Sequence, residues 1–155
     1  MGIEIERKFL VISETWRSMG SGVPLIQGYL ADSNPTTVRV RIAGEKAFLT
    51  IKGKVQNLTR QEFEYKIPVA DAQAMMNLCY PRVVEKTRYK IAVSDLIWEI
   101  DEFSGTNQGL VLAEVELSAP DQSVILPDWV GQEVSDDPRY FNSYLAAHPY
   151  STWGG

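Results

Sequence analysis

The sequence predicts a mainly β chain (α+β) whose antiparallel strands close as a barrel or stack as a sandwich. Three observations predict it. Apolar and polar residues alternate with period two along most of the chain, the mark of strands with two unlike faces. The runs are mostly separated by short turn signals such as Ala43-Gly44-Glu45-Lys46, and short links favour antiparallel pairing. The 155 residues, 45% of them hydrophobic, fit one domain with its own core.

Taken in order, Glu4 to Ile12 is the first expected strand, with Ile3, Ile5, Phe9 and Val11 on one side and Glu4, Glu6, Lys8 and Leu10 on the other. Ser13 to Met19 reads as one helical turn with Ser13 as its N-cap. Leu25 to Ala31 is the second strand, and Asp32-Ser33-Asn34-Pro35 is a turn. Thr37 to Ala43, Lys46 to Gly53 and Arg60 to Ile67 continue the series. Pro68 interrupts it, and Asp71 caps a helix running to Leu78. Cys79, flanked by Met75, Met76 and Leu78, reads as a buried structural thiol. Strands return at Val83 to Ile91, Leu96 to Phe103 and Leu110 to Leu117. Beyond Pro120 the alternation fades, Asp128 to Gly131 reads as a turn, and Pro138 to Ala147 is a closing helix capped by Asp136 or Asp137.

The bulk charge narrows the function. A formal net charge of −5 and a pI of about 4.9 argue against a general nucleic-acid binder. They leave room for an anionic ligand, because a local cluster of Lys and Arg dominates its own pocket. Met1 to Arg7 has no apolar signal core, and no apolar run reaches the ~18 residues of a membrane helix. The expectation is a cytoplasmic protein without membrane or nucleic-acid partners.

The chemistry lies in how the charges are spaced. Glu4, Glu6 and Lys8 sit on the first strand, Arg39 and Arg41 on the third, Lys52 on the fourth, and Glu62 and Glu64 on the fifth. Lys86 and Arg88 follow on the sixth, and Glu114 and Glu116 on the eighth. Each pair is two residues apart, so both members share a face. The opposite faces are apolar, for example Val38, Val40 and Ile42, or Val111, Val115 and Leu117. A solvated outer face would show the same alternation. Like charges set side by side do little for a surface sheet, however. Paired cations suit an anion, and paired carboxylates suit a hard cation. Polyphosphate needs both. If the charges point inward, the apolar exterior must be covered by helices or by a partner subunit.

These residues resemble the CYTH superfamily of triphosphate tunnel metalloenzymes, in its short bacterial form. Glu4-Ile5-Glu6-Arg7-Lys8 looks like the family's Glu-x-Glu-x-Lys signature, and the later pairs fall in the family's order from Glu4 to about Leu145. The resemblance implies a single domain over 1–155, an eight-stranded antiparallel closed barrel with a few peripheral helices and the charges inside. It implies Lys8, Arg39, Arg41, Lys52, Lys86 and Arg88 on phosphate oxygens, and Glu4, Glu6, Glu62, Glu64, Glu114 and Glu116 on Mg²⁺ or Mn²⁺. Glu4, Glu6, Lys8 and Lys86 are the expected catalytic groups. The expected activity is inorganic triphosphatase, tripolyphosphate giving pyrophosphate and phosphate. The alternatives are a class IV adenylyl cyclase, a nucleoside or thiamine triphosphatase, or a polyanion-binding module that is not an enzyme. A homodimer through the apolar exterior is compatible with the pattern.

Other residues carry less. Gln27 and Tyr29 share a face and either look into the tunnel or pack. Asp101 and Glu99 are candidates for supporting the metal ligands, and Arg139 and Asn142 for fixing the closing helix. The lone His148 reads as a surface residue. No segment stands out as a site for a base or another large group, and no P-loop pattern follows Gly53.

Overall fold

Alternation and short links produce nine strands: β1 (Gly2–Val11), β2 (Gly22–Ala31), β3 (Thr37–Ala43), β4 (Lys46–Lys52), β5 (Thr59–Ile67), β6 (Val83–Val93), β7 (Leu96–Phe103), β8 (Val111–Glu116) and β9 (Val130–Glu133). In this computed structural model, which describes residues 2–31 and 35–154, they form one sheet in the order β5-β4-β3-β2-β6-β7-β8-β1-β9. An additional β5–β1 pairing closes eight of them into an antiparallel barrel. Closure depends on β1, which pairs β8 along Glu6–Leu10. Its other edge is divided, with β5 held at Gly2–Ile5 and β9 at Phe9 and Val11.

The eight expected strands all form. The expected turn at Asp32 to Asn34 lies outside the described residues. Four local expectations are corrected. Asp128–Gly131 is not a simple turn, because Val130–Glu133 pairs with β1 as a short ninth strand, a pairing too brief to leave a period. The turn after β1 is a 3₁₀ turn at Thr15–Ser18 with Glu14, not Ser13, at its N-cap. Helix α1 (Val69–Cys79) starts directly after Pro68, so Asp71 sits in its first turn and does not cap it. The closing helix is broken: a 3₁₀ turn at Pro138–Tyr140 is followed by extended Phe141 (φ −71°, ψ 138°), and only then by α2 (Asn142–Ala147). Asp137 does cap the 3₁₀ turn, accepting from the Arg139 backbone N–H at 3.1 Å.

The barrel is apolar outside, so its exterior must be covered, and most of it is. α1 lays Ala72, Met76 and Cys79 over Val40 and Ala47. Trp16 of the 3₁₀ turn and Trp129 cover the outer faces of β6, β7, β8 and β1 together with Phe9, Ile100 and Val115. Trp98 lies at the middle of that cluster, 5.5 Å from both Phe9 and Trp129 by ring centroids. On β5, Phe63 and Tyr65 remain exposed. A third cluster is inside. Leu10, Tyr29, Val84, Phe103 and Leu112 extend the inward-facing rows of their strands beyond the charged positions and meet Leu145 and Ala146 of α2. One end of the lumen is thus filled by apolar side chains.

Cys79 is fully buried, as expected. It packs so closely on β2 that a Cβ at Gly28 would stand 2.6 Å from Cys79 Cβ and 2.9 Å from Met76 Sδ. Gly28→Ala should therefore push α1 off the barrel and destabilise the fold by about 1–3 kcal/mol. Urea denaturation measures this; an unchanged midpoint would mean that the helix has room to shift.

Candidate active site

The strand registers bring the spaced charges together. Glu6 stands opposite Glu116 and Lys8 opposite Glu114. Arg88 stands opposite Asp101, Lys52 opposite Glu62, and Glu4 opposite Arg60. All these side chains point inward, and all but the deeper Asp101 line one cavity of ≈ 210 Å³. All twelve residues expected on phosphate or metal border it: Glu4, Glu6, Lys8, Arg39, Arg41, Lys52, Glu62, Glu64, Lys86, Arg88, Glu114 and Glu116. The charged face is therefore the lumen and not a solvated exterior.

Buried charges need compensation, and most find it. Arg88 grips Asp101 with two parallel bonds of 2.8 Å, while Lys86 Nζ donates to the same carboxylate at 2.7 Å. Lys52 Nζ donates to Glu4 at 3.0 Å and lies 3.4 Å from Glu62. Burial alone would push the Asp101 carboxyl up, but Arg88 and Lys86 outweigh it and hold its pKa down to about 2. Burial pulls the Lys86 ammonium down to about 7 against the attraction of Asp101, with Arg88 and Arg41 adding to the fall.

What is left uncompensated defines two poles. At the cationic pole, Arg41 has no carboxylate within 4.0 Å among the described residues, and its Nε donates only to the Gln27 amide oxygen, at 2.9 Å. Burial, with Arg39 and Arg88 nearby, lowers it to about 10. Arg39 Nε is buried with no hydrogen-bond partner among the described residues. A guanidinium array with free donors is a site for an anion. At the anionic pole, burial and the neighbouring carboxylates Glu114 and Glu4 push Glu6 well above the usual carboxylate range. Glu6 shares a hydrogen bond with Glu114, which burial alone would raise but which Lys8 and Arg88 hold well below that range. Glu62 and Glu116 are both raised, by burial and by Glu4. Like charges placed directly across a strand pair destabilise it, so this pole favours a bound cation.

The site has more members than the sequence suggested. Arg60 lines the cavity and reaches Glu4 at 3.5 Å. Its spacing of two from Glu62 was a legible signal. Asn142 is a correction: it does not merely fix the closing helix. Its amide oxygen accepts from Lys86 Nζ at 2.8 Å and from Gln27 Nε2 at 3.2 Å, linking the arginine side of the lumen to the lysine side. Lys8 Nζ donates to the Tyr140 carbonyl at 3.0 Å, and Ser143 borders the cavity. No periodicity connects this C-terminal segment to the strands, which explains why it was not legible. Gln27 and Tyr29 face the lumen, joined at 3.1 Å. Asp101 is fully buried beneath the cations and supports them directly, and Glu99 borders the cavity. Arg139 bonds Asp137, away from the site, and His148 stacks on Tyr144 at the surface, 4.1 Å between centroids.

Comparison with known proteins gives the same constellation a context. The CYTH domain family model matches residues 2–141. The inorganic triphosphatase of Acetivibrio thermocellus is 45% identical over 156 residues, covering 99% of each chain. That of Nitrosomonas europaea is 40% identical over 147 residues, covering 92% of this chain and 96% of its own. The crystal structure of the inorganic triphosphatase NE1496 superposes with a TM-score of 0.69 at 39% identity, covering 92% of this chain and 93% of that one. PH1012 of Pyrococcus horikoshii shares the fold at 20% identity and a TM-score of 0.59, covering 76% of this chain and 81% of that one.

Because Asn142 is a shared acceptor, Asn142→Leu should leave Lys86 and Gln27 each short of one partner and cost about 1–3 kcal/mol of stability. Chemical denaturation reads the loss. A variant as stable as the parent would show that water replaces the amide.

Proposed function

The chain belongs to the CYTH domain family, and on that premise we propose that it is a metal-dependent triphosphate hydrolase that converts inorganic triphosphate to pyrophosphate and phosphate. The observation that carries the proposal is the two-pole lumen: among the described residues, Arg39 Nε has no hydrogen-bond partner and Arg41 no carboxylate within 4.0 Å, and both guanidinium groups share one ≈ 210 Å³ cavity with crowded carboxylates. Only a ligand presenting oxyanions, accompanied by a cation, answers both poles.

Arg39, Arg41, Lys52, Lys86, Arg88 and Arg60 would bind the phosphate oxygens and hold the chain in line for attack. Lys8 and Lys86 would stabilise the charge that builds on the departing and equatorial oxygens. The all-oxygen donor set Glu4, Glu6, Glu114 and Glu116, with Glu62 and Glu64 at its edge, fits Mg²⁺ or Mn²⁺. Mg²⁺ takes one or two carboxylates and completes its shell with phosphate oxygens and water. When bound, the metal supplies charge neutralisation on the triphosphate and a more acidic bound water. Glu62 and Glu116, whose carboxyls burial and the nearby Glu4 push up from their ordinary value, would accept a proton from water.

Phosphate release from tripolyphosphate, assayed with Mg²⁺, Mn²⁺ and chelator, should be fast only with metal. Release with none of them would end the proposal. Glu114→Gln should lower kcat about 10²-fold or more, whereas parental kcat would remove this carboxylate from the chemistry. Arg41→Ala should raise KM for tripolyphosphate, since among the described residues its guanidinium has no other ionic partner; an unchanged KM would count against its role.

The Lys86 ammonium adds a pH dependence. Its value of about 7 in the free protein means that it is charged below that pH and neutral above it. A bound polyanion keeps it charged, so binding takes up a proton at higher pH. The Kd for tripolyphosphate should weaken by up to about tenfold per unit above pH 7 on this account. Titration calorimetry from pH 6 to 9 should show a steeper slope for the parent than for Lys86→Met, and parallel slopes would refute it.

A further inference from the structure

The arginines that border the lumen are not anchored alike. Arg88 commits Nε and Nη2 to Asp101 and lies 3.3 Å from Glu99. Arg60 lies 3.5 Å from Glu4, and Arg39 lies 3.6 Å from Glu64. Arg41 differs from all three. Among the described residues it has no carboxylate within 4.0 Å, and its one side-chain hydrogen bond runs from Nε to Gln27 Oε1 at 2.9 Å. Its anchor is a neutral amide.

Gln27 stands directly opposite Arg41 in the register of β2 and β3. It is fully buried and does not itself border the ≈ 210 Å³ cavity. Its amide is engaged on both sides. Arg41 Nε can only donate, so Gln27 turns its oxygen toward it. Gln27 Nε2 then donates to Tyr29 Oη at 3.1 Å and to Asn142 Oδ1 at 3.2 Å. Asn142 Oδ1 also accepts from Lys86 Nζ at 2.8 Å, which fixes the orientation of the second amide as well. A buried amide held at three points cannot turn away without leaving polar groups unpaired.

This anchor sets both the aim and the charge of Arg41. With Nε taken, the edge formed by Nη1 and Nη2 is left for a ligand, and that edge matches two oxygens of one phosphoryl group. Because the amide is neutral, the positive charge is not cancelled. A carboxylate at position 27 would have the same reach, but it would form a buried ion pair that competes with the anion. We propose that Gln27 is a positioning residue for triphosphate binding, aiming the terminal edge of Arg41 at the phosphate oxygens while leaving its charge available. The inference rests on the proposed function of the lumen and deepens it. Gln27 touches no reacting atom and acts only through Arg41.

The test is a double-mutant cycle. Calorimetry with Mg²⁺ gives the Kd of diimidotriphosphate, whose P–N–P bridges resist hydrolysis, and steady-state assays give KM for tripolyphosphate. Gln27→Met keeps the length of the side chain, removes the amide and leaves Asn142 Oδ1 with Lys86. It should weaken Kd and KM about tenfold in the parent, the loss of one well-aimed charged contact. In the Arg41→Ala background the same substitution should change them by less than about twofold. Gln27→Glu should weaken binding more than Gln27→Met, because it adds a competing charge; it also serves where Gln27→Met does not fold. Equal losses in the two backgrounds, or no loss in the parent, would overturn the inference. A Gln27→Glu protein that binds like the parent would do the same. Turnover of tripolyphosphate that is indifferent to Gln27 removes this role and leaves the triphosphatase. A parent that neither binds the analogue nor turns over tripolyphosphate removes both.

Discussion

The structure depends on how charge is held inside a closed barrel. Taking a single carboxylate or guanidinium out of water is costly, and the cost is recovered only when opposite charges and hydrogen bonds meet it with good geometry. Asp101 shows the solution: fully buried, it sits beneath Lys86 and Arg88, and both bond it at 2.7–2.8 Å. Without it those two cations would repel one another across a space with little solvent. The compensation stops short at Arg41, at Arg39 Nε and at Glu6, and there the lumen is prepared for an oxyanion and a cation.

A lumen filled with charge reverses the usual arrangement of a small barrel, in which apolar side chains occupy the interior. The apolar core has to lie elsewhere. It lies in two outer layers, one beneath α1 and one around Trp98, and in a plug at the end where Leu10, Phe103 and Leu112 face inward. The plug links stability to the site. α2 docks on it through Leu145 and Ala146, and that docking positions Asn142 and Ser143 at the lumen wall. The break at Phe141 is part of the same device, because an unbroken helix from Pro138 would not leave the Tyr140 carbonyl free for Lys8.

Much of this was legible because a strand has period two. Glu4/Glu6/Lys8, Arg39/Arg41 and Glu114/Glu116 each declare a common face without any knowledge of partners. Arg60, near the start of β5, was equally legible by its spacing of two from Glu62. The segment 138–148 was not legible. Its side chains enter the site through docking on the plug, a long-range contact with no periodic signature. β9 was hidden for a related reason: four residues that pair only with the far end of β1 have too little length to show alternation.

The sequence by itself determined eight of the nine strands, the common face of the charged residues within each strand and the two-sign chemistry they carry, because alternation and charge are local properties of the chain. Only the tertiary structure decided that this face turns inward, which carboxylate meets which cation, and which groups are left without a partner. Those outcomes depend on barrel closure and on the registers between strands such as β1 and β8, where one residue's shift would send every charge to the opposite side.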